Sequence, residues 1–398
     1  SSTSRGLGDV YKRQVCLVYR YYITSVVIFL VFSLICGMAL AEDHSEKLSV
    51  VAVGDNLIHP VVYHDAQHSD GTFNFKPMYS NIKKDIASPD LAFVNQESPL
   101  GGDDIPFSGF KRFNTPSQVA GDIVATGFDV INGANNHSLD QGDQGVTNHI
   151  QTWKKFDHNV LFTGIYNSKK EANRIHTISK NGVKISVLSY TYGTNDMVSN
   201  YPYTVKTFDE ATIKQDIRKA KQQSDVVMVS AHWGNENHHK PNKTQKKYAQ
   251  LFADEDVDIV IGTHPHVIQP VKWVKAKDHH HKTLVAYSLG NFLNGQYSGD
   301  ENNQLLGRIN FDVVKEPKGV HLENVKWTSM VNHYEQARPT NKQTRQHFKI
   351  YNLDDYTPQL AQKHGLQYDS DSEWNIKHLQ DITKAVSYTH LTLPTSDL

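Results

Sequence analysis

Six short polar motifs in this chain bring together side chains able to bind metal ions. They are Gly54-Asp55, Asn95-Gln96-Glu97, Asn135-Asn136-His137, His232-Trp233-Gly234-Asn235-Glu236, Gly262-Thr263-His264-Pro265-His266 and Ser288-Leu289-Gly290-Asn291-Phe292. Aspartate and glutamate supply hard anionic oxygens, an asparagine carbonyl supplies a neutral one, and imidazole nitrogen suits zinc, manganese or iron. A carboxylate that bridges two such ions, with the other ligands divided between them, can hold both within about 4 Å and lower the pKa of a bound water. His264 and His266 lie two apart, so on an extended backbone they point to the same side. Pro265 favours that form by disfavouring the helical region at His264. Gly54, Gly234 and Gly262 allow sharp turns that bring backbone close to a ligand. A lone Gly-Asp or Asn-Asn is an ordinary turn. All six motifs together, at the ends of apolar runs, predict a metal site.

The elements that must position these motifs are short and apolar. Leu48 to Val53, Leu91 to Val94, Asp129 to Ile131, Val183 to Ser189, Val226 to Ser230, Ile259 to Ile261 and Leu284 to Tyr287 read as buried strands. Helical stretches at Ser117 to Thr126, Gly145 to Phe156, Asp209 to Gln223 and Thr244 to Asp254 alternate with several of them, which predicts layered α/β architecture. Open sheets of that kind bind ligands outside the carboxyl ends of their strands, where the motifs fall. Gly307 to Val313 and Val320 to Trp327 read as antiparallel strands completing a sheet. Beyond Glu335 the chain turns polar, with Arg345 to Leu353 and Glu373 to Ala385 expected as short helices of an appendage over 335–385.

Composition removes several function classes. With 41 basic and 42 acidic residues among 398, the formal charge of -1 gives no field to draw nucleic acid. No Gly-x-Ser-x-Gly elbow or phosphate-binding Gly-x-x-x-x-Gly-Lys-Ser/Thr loop occurs. Cys16 and Cys36 lie in or beside an apolar run, Ile23 to Ala41, that carries no charged residue and is long enough to span a bilayer. Ala39-Leu40-Ala41 has the small-x-small pattern of a signal-peptidase site, so residues 15–47 are expected to be a signal peptide or membrane anchor, with export under either reading. Asp9 to Gln14 can be encoded by DNA whose reverse complement, in another frame, encodes Val386 to His390. Residues 1–14 and 386–398 are therefore expected to be translated sequencing adaptor. The clusters His238-His239 and His279-His280-His281 sit in polar loops and read as solvated.

The order of the six motifs resembles the poly-γ-glutamate capsule-biosynthesis family, the CapA-type proteins, over roughly residues 49–311. That resemblance implies a calcineurin-like metallophosphoesterase fold, a four-layer αββα sandwich with mixed sheets, over residues 48–334. It also implies an extracytoplasmic protein, secreted or anchored in the membrane through its amino-terminal segment, with poly-γ-glutamate and membrane-bound synthase subunits as partners. Two divalent ions (Mn, Zn or Fe) are implied. Asp55, Glu97 and His266 would hold one, and Glu97, Asn136, His232 and His264 the other, with His137 catalytic, donating to a leaving group or polarising a substrate oxygen. The chain departs from phosphoesterases of this fold in two places. Leu57 stands where they have histidine, and Asn95-Gln96-Glu97 replaces Gly-Asp-x-x-Asp, with His59 as a candidate replacement ligand. A metal-dependent phosphoesterase acting on a small substrate, and a non-catalytic scaffold of the same fold, stay open as alternatives.

Overall fold

An apolar run such as Leu48–Val53 has no polar side to turn towards water, so its strand must be covered on both faces. In the computed structural model, which describes Lys12 and residues 15–29, 45–296, 301–369 and 372–387, two packed sheets with helices outside them provide that cover. Expectations for Cys36, for Ala39-Leu40-Ala41 and for most of 1–14 and 386–398 lie outside the described residues. The chain divides into two compact units. One comprises Ser1–Ser45 and Glu316–Gly319, and the other comprises Glu46–Lys315 and Val320–Leu398. In the first, residues 15–29 are helical and expose Tyr19, Tyr21, Tyr22 and Phe29. Among the described residues no helix is long and apolar enough to cross a membrane.

In the larger unit the first sheet contains β1 (Glu46–Leu57), β2 (Leu91–Gln96), β3 (Val130–Asn132) and β4 (Leu161–Thr163). The second contains β5 (His176–Lys180), β6 (Val183–Thr191), β7 (Val226–His232), β8 (Ile259–Thr263), β9 (Val271–Lys275) and β10 (Lys282–Ala286). The chain then returns to the first sheet through β11 (Asn291–Asn294), β12 (Leu305–Glu316), β13 (Gly319–Gln336) and β14 (Arg345–Asn352). The strand orders are β14-β13-β12-β1-β2-β3-β4, with β11 against β1, and β5-β6-β7-β8-β10-β9. Both sheets mix directions: β1, β2, β3 and β4 run parallel while β12 opposes β1, and β6, β7, β8 and β10 run parallel between antiparallel β5 and β9.

The period of two along β1 builds the layers. Val50 and Ala52 join Ile185, Met228, Ile259 and Ile261 in the core between the sheets, while Val51 and Val53 turn outward against Val62, Ile82, Ile123 and Trp153. The second sheet repeats the pattern, with Val227, Val229 and Val260 packed on Ile213, Ile217, Ala249 and Phe252. Those last four lie on the helices Glu210–Lys221 and Lys243–Asp254, whose starts are fixed by the Asp209 cap and by an Asn242–Gln245 capping box. The result is the expected four-layer αββα sandwich.

Two sequence expectations need correction. Arg345 to Leu353 is not a helix. Phe348 and Ile350 alternate inward and the segment pairs with β13 as β14, so a two-residue period governs it. β13 also runs through position 335, so the sheet continues past the boundary placed between 334 and 335. The carboxyl-terminal helix spans Ile376–Ser387, close to its expected place.

Close approach of backbone to backbone limits some glycines. A Cβ on Gly262 would lie 2.1 Å from the Tyr287 carbonyl oxygen and 2.6 Å from that of Ala286, whereas one on Gly193 would meet nothing within 4 Å. Gly262→Ala should therefore cost about 1–3 kcal/mol in denaturant unfolding, and Gly193→Ala should leave the midpoint within error of the parent. Equal midpoints for all three proteins would contradict the packing of β8 on the turn after β10.

Candidate metal centre

Strand register carries the first carboxylate into place. Asp55 on β1 pairs with Asn95 on β2, which pairs with Asn132 on β3. Asn132 Nδ2 donates to Asn95 Oδ1 at 2.7 Å, and Asn95 Nδ2 donates to Asp55 Oδ1 at 2.7 Å. This amide ladder uses one oxygen of Asp55 and fixes its rotation. The other, Oδ2, accepts from the His264 backbone N–H at 3.1 Å and lies 3.3 Å from His266 Nδ1. On its other side β1 runs beside β11, where Asp55 pairs with Asn291, and Asn291 Oδ1 lies 3.0 Å from His266 Nδ1.

Glu97 follows β2 and is fully buried, yet neither carboxylate oxygen has a hydrogen-bond partner. His232 Nε2 lies 3.7 Å and His266 Nε2 3.8 Å from its Oε1, beyond hydrogen-bond reach. His232 Nε2 also faces Asn136 Oδ1 at 2.8 Å, and its Nδ1 faces Thr263 Oγ1 at 2.9 Å. His264 Nδ1 is buried without a partner. Ligand atoms of Asp55, Glu97 and His266 fall within 4.8 Å of one another, as do those of Glu97, His232 and His264, and those of Glu236, His264 and His266.

Electrostatics follow from this burial. Desolvation, and then the Asp55 carboxylate, push Glu97 well above the ordinary carboxylate range. Desolvation and the neighbouring imidazoles push His232 and His264 well below ordinary histidine, so both rings are neutral, the form that ligates metal. His266 is the opposite case. Burial is the largest single influence and works against its charge, but Asp55, Glu236 and Asn291 together outweigh it and hold its pKa up.

The backbone of the His-Pro-His turn corrects the sequence expectation. His264 has φ +95° and His266 φ +58°, so the pair occupies a bend of left-handed residues rather than an extended segment. Such conformations cost about 1–3 kcal/mol each where no glycine stands. Pre-proline geometry predicted otherwise because it weighs only the local clash; the tertiary bond from His264 N–H to Asp55 wins. The two rings still converge, with centroids 5.7 Å apart.

His137 stands beside this group. Its Nδ1 donates to Asp140 Oδ2 at 2.7 Å, the Phe113 backbone N–H donates to the same oxygen at 2.7 Å, and the Phe113 ring packs edge-on against the imidazole at 4.8 Å. Tyr192 covers the outer side, its ring 4.5 Å from that of His264, with burial first and Glu236 second raising its pKa to about 12.

All seven predicted site residues are buried at the carboxyl ends of β1, β2, β3, β7 and β8. His59 does not join them: its Nδ1 lies 3.0 Å from the Leu57 carbonyl and 3.2 Å from the Gly295 nitrogen, and it belongs to none of the three ligand groups. Leu57 is buried and offers no donor. Sequence reasoning missed Asn132, Asp140 and Tyr192, and included Asn291 in the sixth motif without giving it a role; Asp140, three residues after His137, carried a usable signal. Of the loop histidines, His238, His279 and His280 are exposed as expected. His239 and His281 are half-buried against the Ile268 and Val257 carbonyls.

Residues 49–296 match the model of the family described as bacterial capsule synthesis protein PGA_cap. The PGA biosynthesis protein CapA of Bacillus subtilis (strain 168) is 32% identical over 173 residues, covering 42% of this chain and 42% of that protein. The capsule biosynthesis protein CapA of Bacillus anthracis is 32% identical over 178 residues, 43% and 41% respectively. The chain thus spans about two-fifths of the length of these curated relatives. Among solved structures, a novel phosphatase of Mycoplasma pneumoniae aligns with a TM-score of 0.43 at 11% identity, over 72% of this chain and 94% of that one.

The raised Glu97 pKa has a consequence for metal-free protein. Between its unfolded and folded values the folded chain keeps a proton that the unfolded chain releases, so stability falls as pH rises through that window. Glu97→Gln has no such proton. In chelator-treated samples, urea unfolding should show the parent losing stability relative to Glu97→Gln from pH 5 towards pH 8, whereas parallel pH profiles would mean Glu97 is not held protonated.

Proposed function

The chain belongs to the bacterial capsule synthesis protein family, and from that membership we propose that it is an extracytoplasmic component of poly-γ-glutamate synthesis or export built around a two-metal centre. The observation that carries this reading is Glu97. A fully buried carboxylate with both oxygens unpartnered is costly unless a cation completes it. The donor set fits such ions: two carboxylates, an amide carbonyl and three imidazoles, two of them neutral, suit Mn, Zn or Fe. Asp55, Glu97 and His266 would hold one ion, and Glu97, Asn136, His232 and His264 the other, with Glu97 shared. Bound there, the ions would act as Lewis acids and lower the pKa of water.

The protein's own groups do the remaining work. Asn95 orients Asp55, Thr263 sets the ring of His232, and Asn291 sets that of His266, each through a contact of 3.0 Å or less. Asp140 occupies His137 Nδ1, which leaves Nε2 as the nitrogen able to pass a proton to a leaving group. The names of the relatives, PGA biosynthesis protein and capsule biosynthesis protein, support poly-γ-glutamate as substrate or cargo, and synthase subunits in the membrane are the partners that this reading proposes. The apolar run Ile23 to Ala41 supports placement outside the cytoplasm, either secreted or anchored. Leu57, and a His59 that belongs to none of the three ligand groups, weigh against an ordinary phosphoesterase.

Metal analysis of the protein tests the centre. Loaded with Mn or Zn and dialysed, the parent should retain up to about two ions per chain, and a His264→Ala, His266→Ala double variant less than half of that. If the parent retains no more metal than the variant, the centre is wrong. His137→Ala should keep the parent's metal content and lose any cleavage of a γ-glutamyl oligomer by about 100-fold or more. Full metal with no turnover of oligomer or phosphoester by the parent would assign the scaffold role instead.

A further inference from the structure

Two loops stand over the His137 side of the crevice. Residues 101–114 form one, tied together by Asn114, whose side-chain nitrogen donates to the Gly102 and Ile105 carbonyls and whose oxygen accepts from Gly101 N–H. Residues 192–204 form the other, fastened to Asp143 through Ser199 and Asn200. The loops meet where Arg112 donates to the Asn195 carbonyl at 3.5 Å. The Asn195 side chain accepts from Asn136 Nδ2 at 3.3 Å and lies 3.5 Å from His137 Nδ1. Among the described residues of the larger unit, the exposed large apolar side chains are Phe110, Tyr192, Val198, Tyr201 and Tyr368, and all but Tyr368 come from these two loops.

Arg112 supplies a cation to this rim. Its side chain is 45% exposed, and its nearest acid, Asp140 Oδ1, is 3.9 Å away. That distance is too long for a hydrogen bond, and the buried oxygen has no hydrogen-bond partner. The guanidinium is therefore placed beside the His137–Asp140 pair without being tied up by it. A planar fork of donors suits a carboxylate, which it can hold through two parallel bonds. The crevice behind it is acidic, with Asp55, Glu97, Asp140 and Glu236, and Asp196 lies on the loop itself. An anion can approach only where bound metal and Arg112 offset those charges.

Resting on the two-metal reading above, we propose that Arg112 binds a carboxylate of the γ-glutamyl chain, with the exposed rings of Phe110 and Tyr192 covering the methylenes between successive carboxylates. Poly-γ-glutamate has that alternation, one carboxylate and one short aliphatic stretch per residue, and it is matched by a guanidinium at the junction of two loops, one exposing Phe110 and the other Tyr192. The same fork would also fit phosphate, which makes phosphate the competitor to test.

Fluorescence anisotropy with a labelled γ-glutamyl oligomer on the full chain loaded with Mn decides between them. Arg112→Ala should weaken binding about tenfold or more and Arg112→Lys by less, while Lys111→Ala, a neighbouring exposed cation, should change it less than about twofold. All variants should carry the parent's metal content, and chelation should abolish binding. Equal losses for Arg112→Ala and Lys111→Ala, or none for either, would overturn the assignment, as would displacement of the oligomer by inorganic phosphate at lower concentration than by glutarate. Absence of metal from the parent would instead refute the two-metal reading, leaving the two failures distinguishable.

Discussion

Glu97 and Asp55 are buried side by side, and the rest of the site depends on offsetting that charge. Removing a carboxylate from water costs several kcal/mol even after relaxation. The protein meets part of this cost with its own groups: the amide ladder and the His264 N–H satisfy Asp55, and the His266 ring lies 3.3 Å from its second oxygen. Nothing among the described residues satisfies Glu97. The fold thus places an unpartnered carboxyl group within reach of three imidazoles, where a proton offsets it in metal-free protein and a cation would do so in the proposed centre.

The sandwich exists in a form that permits this. Strands buried on both faces make β1, β2, β7 and β8 rigid, and their parallel directions deliver Asp55, Glu97, His232 and His264 to one end. Gly54 and Gly262 let backbone pass close to the Gly290 and Tyr287 carbonyls, which brings the two sheets' contributions together. The left-handed His264 and His266 store strain, which the Asp55 contact helps to offset, so geometry at the site is set by tertiary structure more than by local preference.

Much of this was legible in the sequence because strand-end motifs combine two signals, an apolar run and a following donor. The pattern located the six motifs and a layered α/β architecture; the choice of Asp55, Glu97, Asn136, His137, His232, His264 and His266 among them, and the αββα order of the layers, came from the resemblance to the CapA-type family. What stayed hidden was relational. Asn132 and Asn291 matter only through register with Asp55, and register is not written locally. β4 and β11 have three and four residues, too few for a period to show. β14 was read as a helix because its polar residues masked the inward Phe348 and Ile350. The bend at His-Pro-His has a different cause: a contact far away in sequence, from His264 N–H to Asp55, overrides the local rule.

Anomalous diffraction from crystals grown with Mn or Zn tests the central claim most directly. The account predicts two peaks flanking the Glu97 carboxylate, one beside Asp55 and His266 and one beside Asn136, His232 and His264. Peaks confined to surface histidines such as His279 and His280, with Glu97 still unpartnered, would contradict it.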